Sequence, residues 1–289
     1  VEGFISGMHK SPFHGFSAEF SEHKVYNSGE STKHMDWKLY AKTDRLYTKR
    51  YEEETNLRCH IIIDNSSSMH YPKLSSGQLF YENKIGFSVL ASAVLMNILK
   101  KQRDAVGLSV FSDSYEYYAP EKGSDRHHRM LLNVLENLLE NQTPKKTTDT
   151  VTYLHQIAEK MHRRSMILLF TDMFQSDEVS SSEEKLFAAL QHLKHNKHKV
   201  VLFHVMDYKT ELNFDFDSAP RRFVDLESGE EIAVFADTIK EFYEKKMQDY
   251  FEKVAMTCAQ NKIKYIPVSV GENFEKILTA YLIEKQNFG

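Results

Sequence analysis

The chain has 289 residues, 41% hydrophobic and 27% charged, enough apolar material for one large core or two small ones and too much for a disordered chain. Its 37 basic and 41 acidic residues leave a net charge of −4, which supplies no general attraction to nucleic acid. Two cysteines, Cys59 and Cys258, cannot build a disulfide framework or a four-sulfur zinc site, so a reducing, cytoplasmic setting is expected.

Residues 1–54 scatter glycine, histidine and aromatic side chains with no helical period before MDWKLYAKTDRLYTKRYEEE, and read as a small strand-rich elaboration packed on a main domain over 55–289. The opening VEGFISGMHKSPF lacks the basic-then-apolar layout of a signal peptide, and no stretch reaches the roughly 18 apolar residues of a membrane span. From about Glu54, short apolar runs alternate with helical segments, the pattern of an α/β fold with a mostly parallel sheet. Cys59–Asp64 reads as a strand buried on both faces, Lys84–Lys101 as a crossover helix, and Ala105–Phe111 as the next strand with Glu116–Ala119 as its hairpin mate. Helices follow near Arg126–Glu140 and Val151–His162, then the strand Ser165–Phe170, a helix at Glu183–Lys194 and the strand Lys199–Met206. The period breaks near 209–236, where RRFVDLESGEEIAVF reads as an inserted β-hairpin turning at Ser228–Gly229. Thr238–Asn261 is a long helix, Lys264–Val270 a strand placed at an edge by Pro267, and Glu272–Lys285 the last helix.

The chemistry concentrates after the first buried strand. Asp64-Asn65-Ser66-Ser67-Ser68 puts one carboxylate and two hydroxyls, spaced to converge in a turn, at the carboxyl end of a parallel strand, where open α/β sheets bind ligands. Thr147-Thr148-Asp149 lies in a loop before a helix, and Thr171-Asp172 ends another central strand. Asp64, Ser66, Ser68, Thr148 and Asp172 together offer hard oxygen donors suited to Mg2+ or Mn2+, with Thr147 an alternative to Thr148. With only two carboxylates the ion is not over-neutralised, and a partner's Asp or Glu gains both a metal bond and charge balance. Taken singly, Asp-x-Ser-x-Ser after a strand is a common turn or helix-capping sequence; the ordered set of loops is what favours a cation site.

This ordered set resembles the metal-ion-dependent adhesion site of von Willebrand factor A domains, Asp-x-Ser-x-Ser, then Thr, then Asp. Upstream, Tyr26, Gly29-Glu30, Asp36-Trp37-Lys38 and Lys49-Arg50-Tyr51-Glu52-Glu53-Glu54 look like the bacterial family called domain of unknown function 58, which carries an A-type domain. The similarity continues through Lys100–Asp113 and His162–Phe174; Glu30 stands where many relatives have Asp, and the flanking membrane helix of many relatives is not seen. The resemblance implies a von Willebrand factor A-like fold, a bound divalent ion, a protein partner, and association with MoxR-type AAA+ ATPases in the assembly or maturation of other proteins.

The expected function is therefore a metal-dependent protein-binding module and not an enzyme. A metal-dependent phosphoester hydrolase is the main alternative, weakened by the lack of a general base beside the strand end, and a metal-free scaffold is the other. No glycine-rich phosphate loop occurs. The plainer reading of Trp37 has it anchoring a strand on a core, and that of His127-His128 and of His192, His195 and His198 has them on exposed, modestly basic helix ends.

Overall fold

A computed structural model describes residues 10–11, 18–27, 32, 35–54, 57–75, 77–112, 115–140, 150–162, 164–173, 187–192, 197–216, 220–224, 229, 231–271 and 274–287. The chain divides into two compact units, residues 1–56 with 285–289, and residues 57–284.

In the smaller unit, β1 (Lys10–Ser11), β2 (Ala18–Val25) and β3 (Tyr47–Glu54) form an antiparallel sheet in the order β1-β3-β2, with an irregularity in β2 between Phe20 and Glu22. A short helix, α1 (Trp37–Thr43), interrupts the strands. It starts at Trp37 because Asp36 caps it: Asp36 Oδ1 accepts from the amides of Lys38 and Leu39, both at 3.0 Å. His23 Nε2 at 2.9 Å and Lys49 Nζ at 3.3 Å approach the other oxygen, and these donors hold the carboxyl well below its usual range. Trp37 is 63% exposed on this helix, so the expectation that it anchors a strand on a core is corrected. The cap sets its position, and its ring meets Tyr40 edge-on instead of entering a core.

The larger unit is built on a six-stranded sheet of β4 (Arg58–Asp64), β5 (Ala105–Phe111), β6 (Tyr115–Lys122), β7 (Met166–Thr171), β8 (Lys199–Met206) and β11 (Lys264–Ser269). The order is β11-β8-β7-β4-β5-β6, all parallel except β6, which pairs antiparallel with β5 at one edge. The central strands are buried, β7 along its whole length and β4 from Cys59 onwards, as their near-continuous apolar sequences require. β11 lies at the opposite edge, where Pro267 removes no bond from an inner ladder.

Between β4 and β5 runs α2 (Lys84–Lys101), whose amino end is capped by Asn83 Oδ1 accepting from Gly86 N at 2.9 Å, a contact worth about 1 kcal/mol. Among the described residues the helices α3 (Asp125–Glu140), α4 (Thr150–Lys160), α5 (Ala236–Gln260) and α6 (Glu275–Gln286) follow, and residues 187–192 are also helical. On one face of the sheet, Ile62, Ile167, Leu169, Val200 and Leu202 pack with Leu154 and Ile157 of α4, Ala189 and Leu190, and Val254 and Cys258 of α5. Strand alternation sends Ile61, Ile63, Leu168 and Phe203 to the other face.

The inserted hairpin is formed by β9 (Pro220–Val224) and β10 (Glu231–Phe235), antiparallel, with Gly229 at φ +76° in its connection. Ser228 lies outside the described residues, as do residues 183–186 and 193–194 of the predicted helix Glu183–Lys194. Phe223 of β9 stacks on Phe214, which also meets Tyr243 of α5.

Three histidines depart from the expectation of exposed helix ends. His127 and His128 are buried, and His127 Nε2 donates to the Val106 carbonyl at 2.9 Å. Burial, ahead of the charges of Lys100 and His127, pushes the His128 ring below its ordinary value. His198 is buried and its Nδ1 accepts from Ser165 N at 3.0 Å, which ties the turn before β8 to the turn before β7. His192 is half-buried, its Nδ1 2.8 Å from Nδ1 of His155 on α4, and His195 lies outside the described residues. The rings of His127, His192 and His198 each bond a group that sequence spacing does not place nearby.

Candidate metal centre

Counted from Arg58, the sheet has the doubly wound order in which the chain reverses direction between its first and fourth strands, here β4 and β7. Crossovers leave these two strands towards opposite faces, so a crevice opens between their carboxyl ends. Asp64 is the last residue of β4 and Asp172 follows the last residue of β7. Neighbouring parallel strands therefore deliver both carboxylates to one place.

The Asp64 loop folds back on its own strand. Asp64 Oδ1 accepts from Ser66 N at 2.9 Å, which turns the chain, and Ser67–His70 then form a single turn of 3-10 helix. Ser66 Oγ and Ser68 Oγ stand 3.1 Å apart, so the alternate hydroxyls converge. Asn65 N donates to the Phe111 carbonyl at 2.8 Å, and its side-chain amide donates to Glu116 Oε2 at 3.0 Å, pinning the loop to β5 and β6.

Across the strand boundary, Thr171 Oγ1 donates to Asp64 Oδ2 at 2.7 Å and accepts from Met173 N at 3.0 Å. Met173 has φ +56°, a left-handed conformation uncommon for a long side chain, as the segment turns directly after Asp172. His204 Nε2 donates to the Asp172 carbonyl at 2.8 Å, leaving Nδ1 to accept from Tyr265 OH at 2.8 Å. Burial holds the His204 ring down to about 4, so this neutral tautomer persists at physiological pH.

The electrostatics are strained in one direction. Asp64 is 2% exposed and Asp172 0%. Burial, with the Asp172 charge second, pushes the Asp64 carboxyl up to about 7, against the opposing hydrogen bonds of Thr171 and Ser66. A cation between the two carboxylates would remove that penalty. The donor set is entirely oxygen, fitting Mg2+ or Mn2+ and not a thiolate- or imidazole-bound metal. Among the described residues no three His, Cys, Asp or Glu side chains could hold an ion by themselves, so the serine hydroxyls are needed to complete a shell. The structure brings Asp64, Ser66 and Ser68 together in one loop and couples Asp64 to Asp172; Thr147 and Thr148 lie outside the described residues.

Two charged groups at this rim were not anticipated from sequence. Lys84, the first residue of α2, is fully buried, and its Nζ donates to Asp172 Oδ2 at 2.8 Å and to Glu211 Oε1 at 2.6 Å. Glu211 belongs to a π-helical turn, Tyr208–Leu212, and its Oε2 accepts from Asp207 N at 2.8 Å. Lys84 had a readable signal, since a lysine opening a helix faces the positive end of the dipole and needs a local anion. Glu211 had none, lying where the helical and strand periods fail.

A second polar set invites a catalytic reading and does not support one. His60 Nδ1 donates to Glu121 Oε1 at 2.7 Å, and His60 Nε2 lies 2.7 Å from Ser109 Oγ, a serine–histidine–glutamate chain across β4, β5 and β6. The His60 and Glu121 side chains are 0% exposed, Ser109 is wholly buried, and His60 stacks under the Tyr118 ring. No substrate can approach a serine sealed inside the sheet, so the chain is structural. A cavity of about 370 Å3 lined by Lys199, Lys262 and Lys264 lies at the amino ends of β8 and β11, the opposite end of the sheet from Asp64.

The profile of the family described as Protein of unknown function DUF58 matches residues 22–273. A comparison with curated proteins returns no match. Similar solved structures include the conserved hypothetical protein BatB from Bacteroides thetaiotaomicron, 14% identical over 81% of this chain and 100% of that chain, with a TM-score of 0.49. An aerotolerance-related membrane protein from Bacteroides fragilis is 16% identical over 80% of this chain and 99% of that one, with a TM-score of 0.48. The SpRpn10 VWA domain is 14% identical over 81% and 97%, with a TM-score of 0.40. Among the described residues no helix is long and apolar enough to cross a membrane.

Proposed function

The chain belongs to the family described as Protein of unknown function DUF58 and has a von Willebrand factor A-like α/β fold, and from that premise we propose that it is a metal-dependent protein-binding module. Asp64, Ser66, Ser68 and Asp172, with Thr148 or Thr147, would hold the ion, Mg2+ or Mn2+, which would offer a coordination position to an Asp or Glu side chain of a partner protein. The observation that carries this reading is the pair of buried carboxylates, Asp64 and Asp172, brought to the switch point of the sheet beside two converging hydroxyls. A bound ion supplies Lewis acidity for a carboxylate ligand; the chain's own residues fix its position and exclude water from the inner side.

The family resemblance makes a MoxR-type AAA+ ATPase the first partner to test, with the domain as its adaptor in protein assembly or maturation. A binding role is favoured over hydrolysis because His204, the histidine bonded to the Asp172 backbone, has both ring nitrogens engaged, Nε2 with the Asp172 carbonyl and Nδ1 with Tyr265 OH, and is sealed from solvent. Calorimetric titration of Mg2+ and Mn2+ into the native chain and Asp64→Ala tests the site, with binding expected only in the native chain. A pull-down with Mn2+-loaded native protein, against Asp64→Ala and against chelator, tests the partner. Equal metal binding by both proteins removes the site, and phosphoester turnover that needs metal and Asp64 moves the reading to a hydrolase.

A further inference from the structure

Lys84 is an expensive residue where it stands. Its ammonium is fully buried, which costs several kcal/mol before pairing, and it sits at the amino end of α2, where the helix dipole opposes a cation. Well-packed apolar residues commonly stabilise a core as well as or better than a buried ion pair. Stability alone is therefore a poor account of this lysine. Its surroundings are specific: Asp172 and Glu211 bind its Nζ, the Tyr71 ring lies 5.8 Å away, and Tyr243 OH donates to the Glu211 carbonyl at 2.8 Å, fixing the turn that presents Glu211.

With every group ionised, the three carboxylates of Asp64, Asp172 and Glu211 against one ammonium leave two negative charges in excess, the charge one divalent ion cancels. We propose that Lys84 is a resident counter-cation of the ion site, shared between Asp172 and Glu211, which withholds part of the Asp172 charge from the metal so that the bound ion remains able to take an outside carboxylate. This rests on the metal-site reading above and adds to it a residue that sets the balance between holding the ion and capturing the ligand. Glu211 is the other half of the device, drawing Lys84 partly off Asp172. Removing Glu211 gives Lys84 wholly to Asp172 and weakens metal binding; removing both frees Asp172 and strengthens it.

The test is calorimetric titration of Mn2+ into the full chain as native protein, Glu211→Gln and the double variant Lys84→Met/Glu211→Gln, with circular dichroism to establish folding. Mn2+ affinity is expected to fall about tenfold in Glu211→Gln and to rise about tenfold in the double variant, the scale of changes beside a metal ligand. Acetate titrated into the Mn2+-saturated proteins, read from water relaxation, is expected to bind the double variant several-fold more weakly than the native chain. A merely structural Lys84 predicts Mn2+ affinities equal to native in the folded variants, and that result, or a shift of opposite sign, overturns the proposal. If the double variant does not fold, Glu211→Gln decides alone, with unchanged or tighter Mn2+ binding the overturning result. Absence of Mn2+ binding by the native chain overturns the site reading itself, a separate outcome from native binding with unmoved variants.

Discussion

Thr171 Oγ1 donates to Asp64 Oδ2 at 2.7 Å, so the last residue of β7 orients the carboxylate that ends β4, 107 positions earlier in the chain. The bond leaves the Asp64 oxygens no freedom to choose their direction. Thr171→Val keeps the shape and removes the donor. Mn2+ affinity by calorimetry should fall about tenfold, while the melting temperature in chelator changes little. An unchanged Mn2+ affinity would show that Asp64 needs no such guide.

Asp64 itself is costly in the absence of a cation, since burial and the Asp172 charge raise its carboxyl to about 7. Asp64→Asn removes that charge at similar volume. At pH 8 in chelator this variant should melt higher than the native chain, by an amount on the order of 1–3 kcal/mol, as substitutions relieving functional strain do. Adding Mn2+ should raise the native melting temperature and leave the variant where it is. A variant that melts lower in chelator contradicts the strained-site account.

Glu121 gives the fold an acid sensitivity of defined sign. Burial disfavours its charge, but the hydrogen bond and charge of His60 outweigh burial and hold the carboxyl below its ordinary 4.5. A carboxyl with a lowered folded-state value contributes stability fully above that ordinary value and loses it as pH falls through the folded one. Urea midpoints of the native chain should therefore drop below about pH 4.5, and those of Glu121→Gln should fall less steeply over the same range. Parallel pH profiles for the two proteins would remove Glu121 from the explanation.

Gly107 makes room for that same histidine. A Cβ at Gly107 would lie 2.5 Å from His60 Nδ1 and 2.8 Å from the Ala119 carbonyl oxygen, and neither neighbour can withdraw cheaply. Gly107→Ala is expected to lose about 1–3 kcal/mol in denaturant unfolding. A loss under about 0.5 kcal/mol would mean that the sheet yields there more readily than its packing implies.

Trp37→Ala, at a residue 63% exposed, should change stability by no more than about 0.5 kcal/mol in the same assay. A loss of several kcal/mol would restore the core-anchoring role that the sequence favoured.

Much of the larger unit is legible in the order of its residues. Lys84–Lys101 and Ala105–Phe111 are the spans that α2 and β5 adopt, because a mostly apolar run and a long helical period leave few alternatives at those lengths. The strand-end positions of Asp64 and Asp172 follow from the same runs. What sequence hides is pairing at long range: Lys84 meets Asp172 and Glu211 across 88 and 127 positions, and no local period encodes that. Buried histidines are hidden for a related reason. His127 and His198 look polar in a sequence, yet each finds a backbone partner that makes burial tolerable. Trp37 misleads in the opposite sense, since a large aromatic residue favours an interior until the cap at Asp36 sets where its helix begins.

Both thiols are shut inside the larger unit, and the Cys258 sulfur, deprived of solvent, is pushed up to about 12. Alkylating reagents at neutral pH consequently find no reactive thiolate until the interior opens. Labelling speed becomes an intrinsic clock for unfolding. A cysteine newly introduced on the surface would then carry a probe alone, without first stripping the native sulfurs from the core.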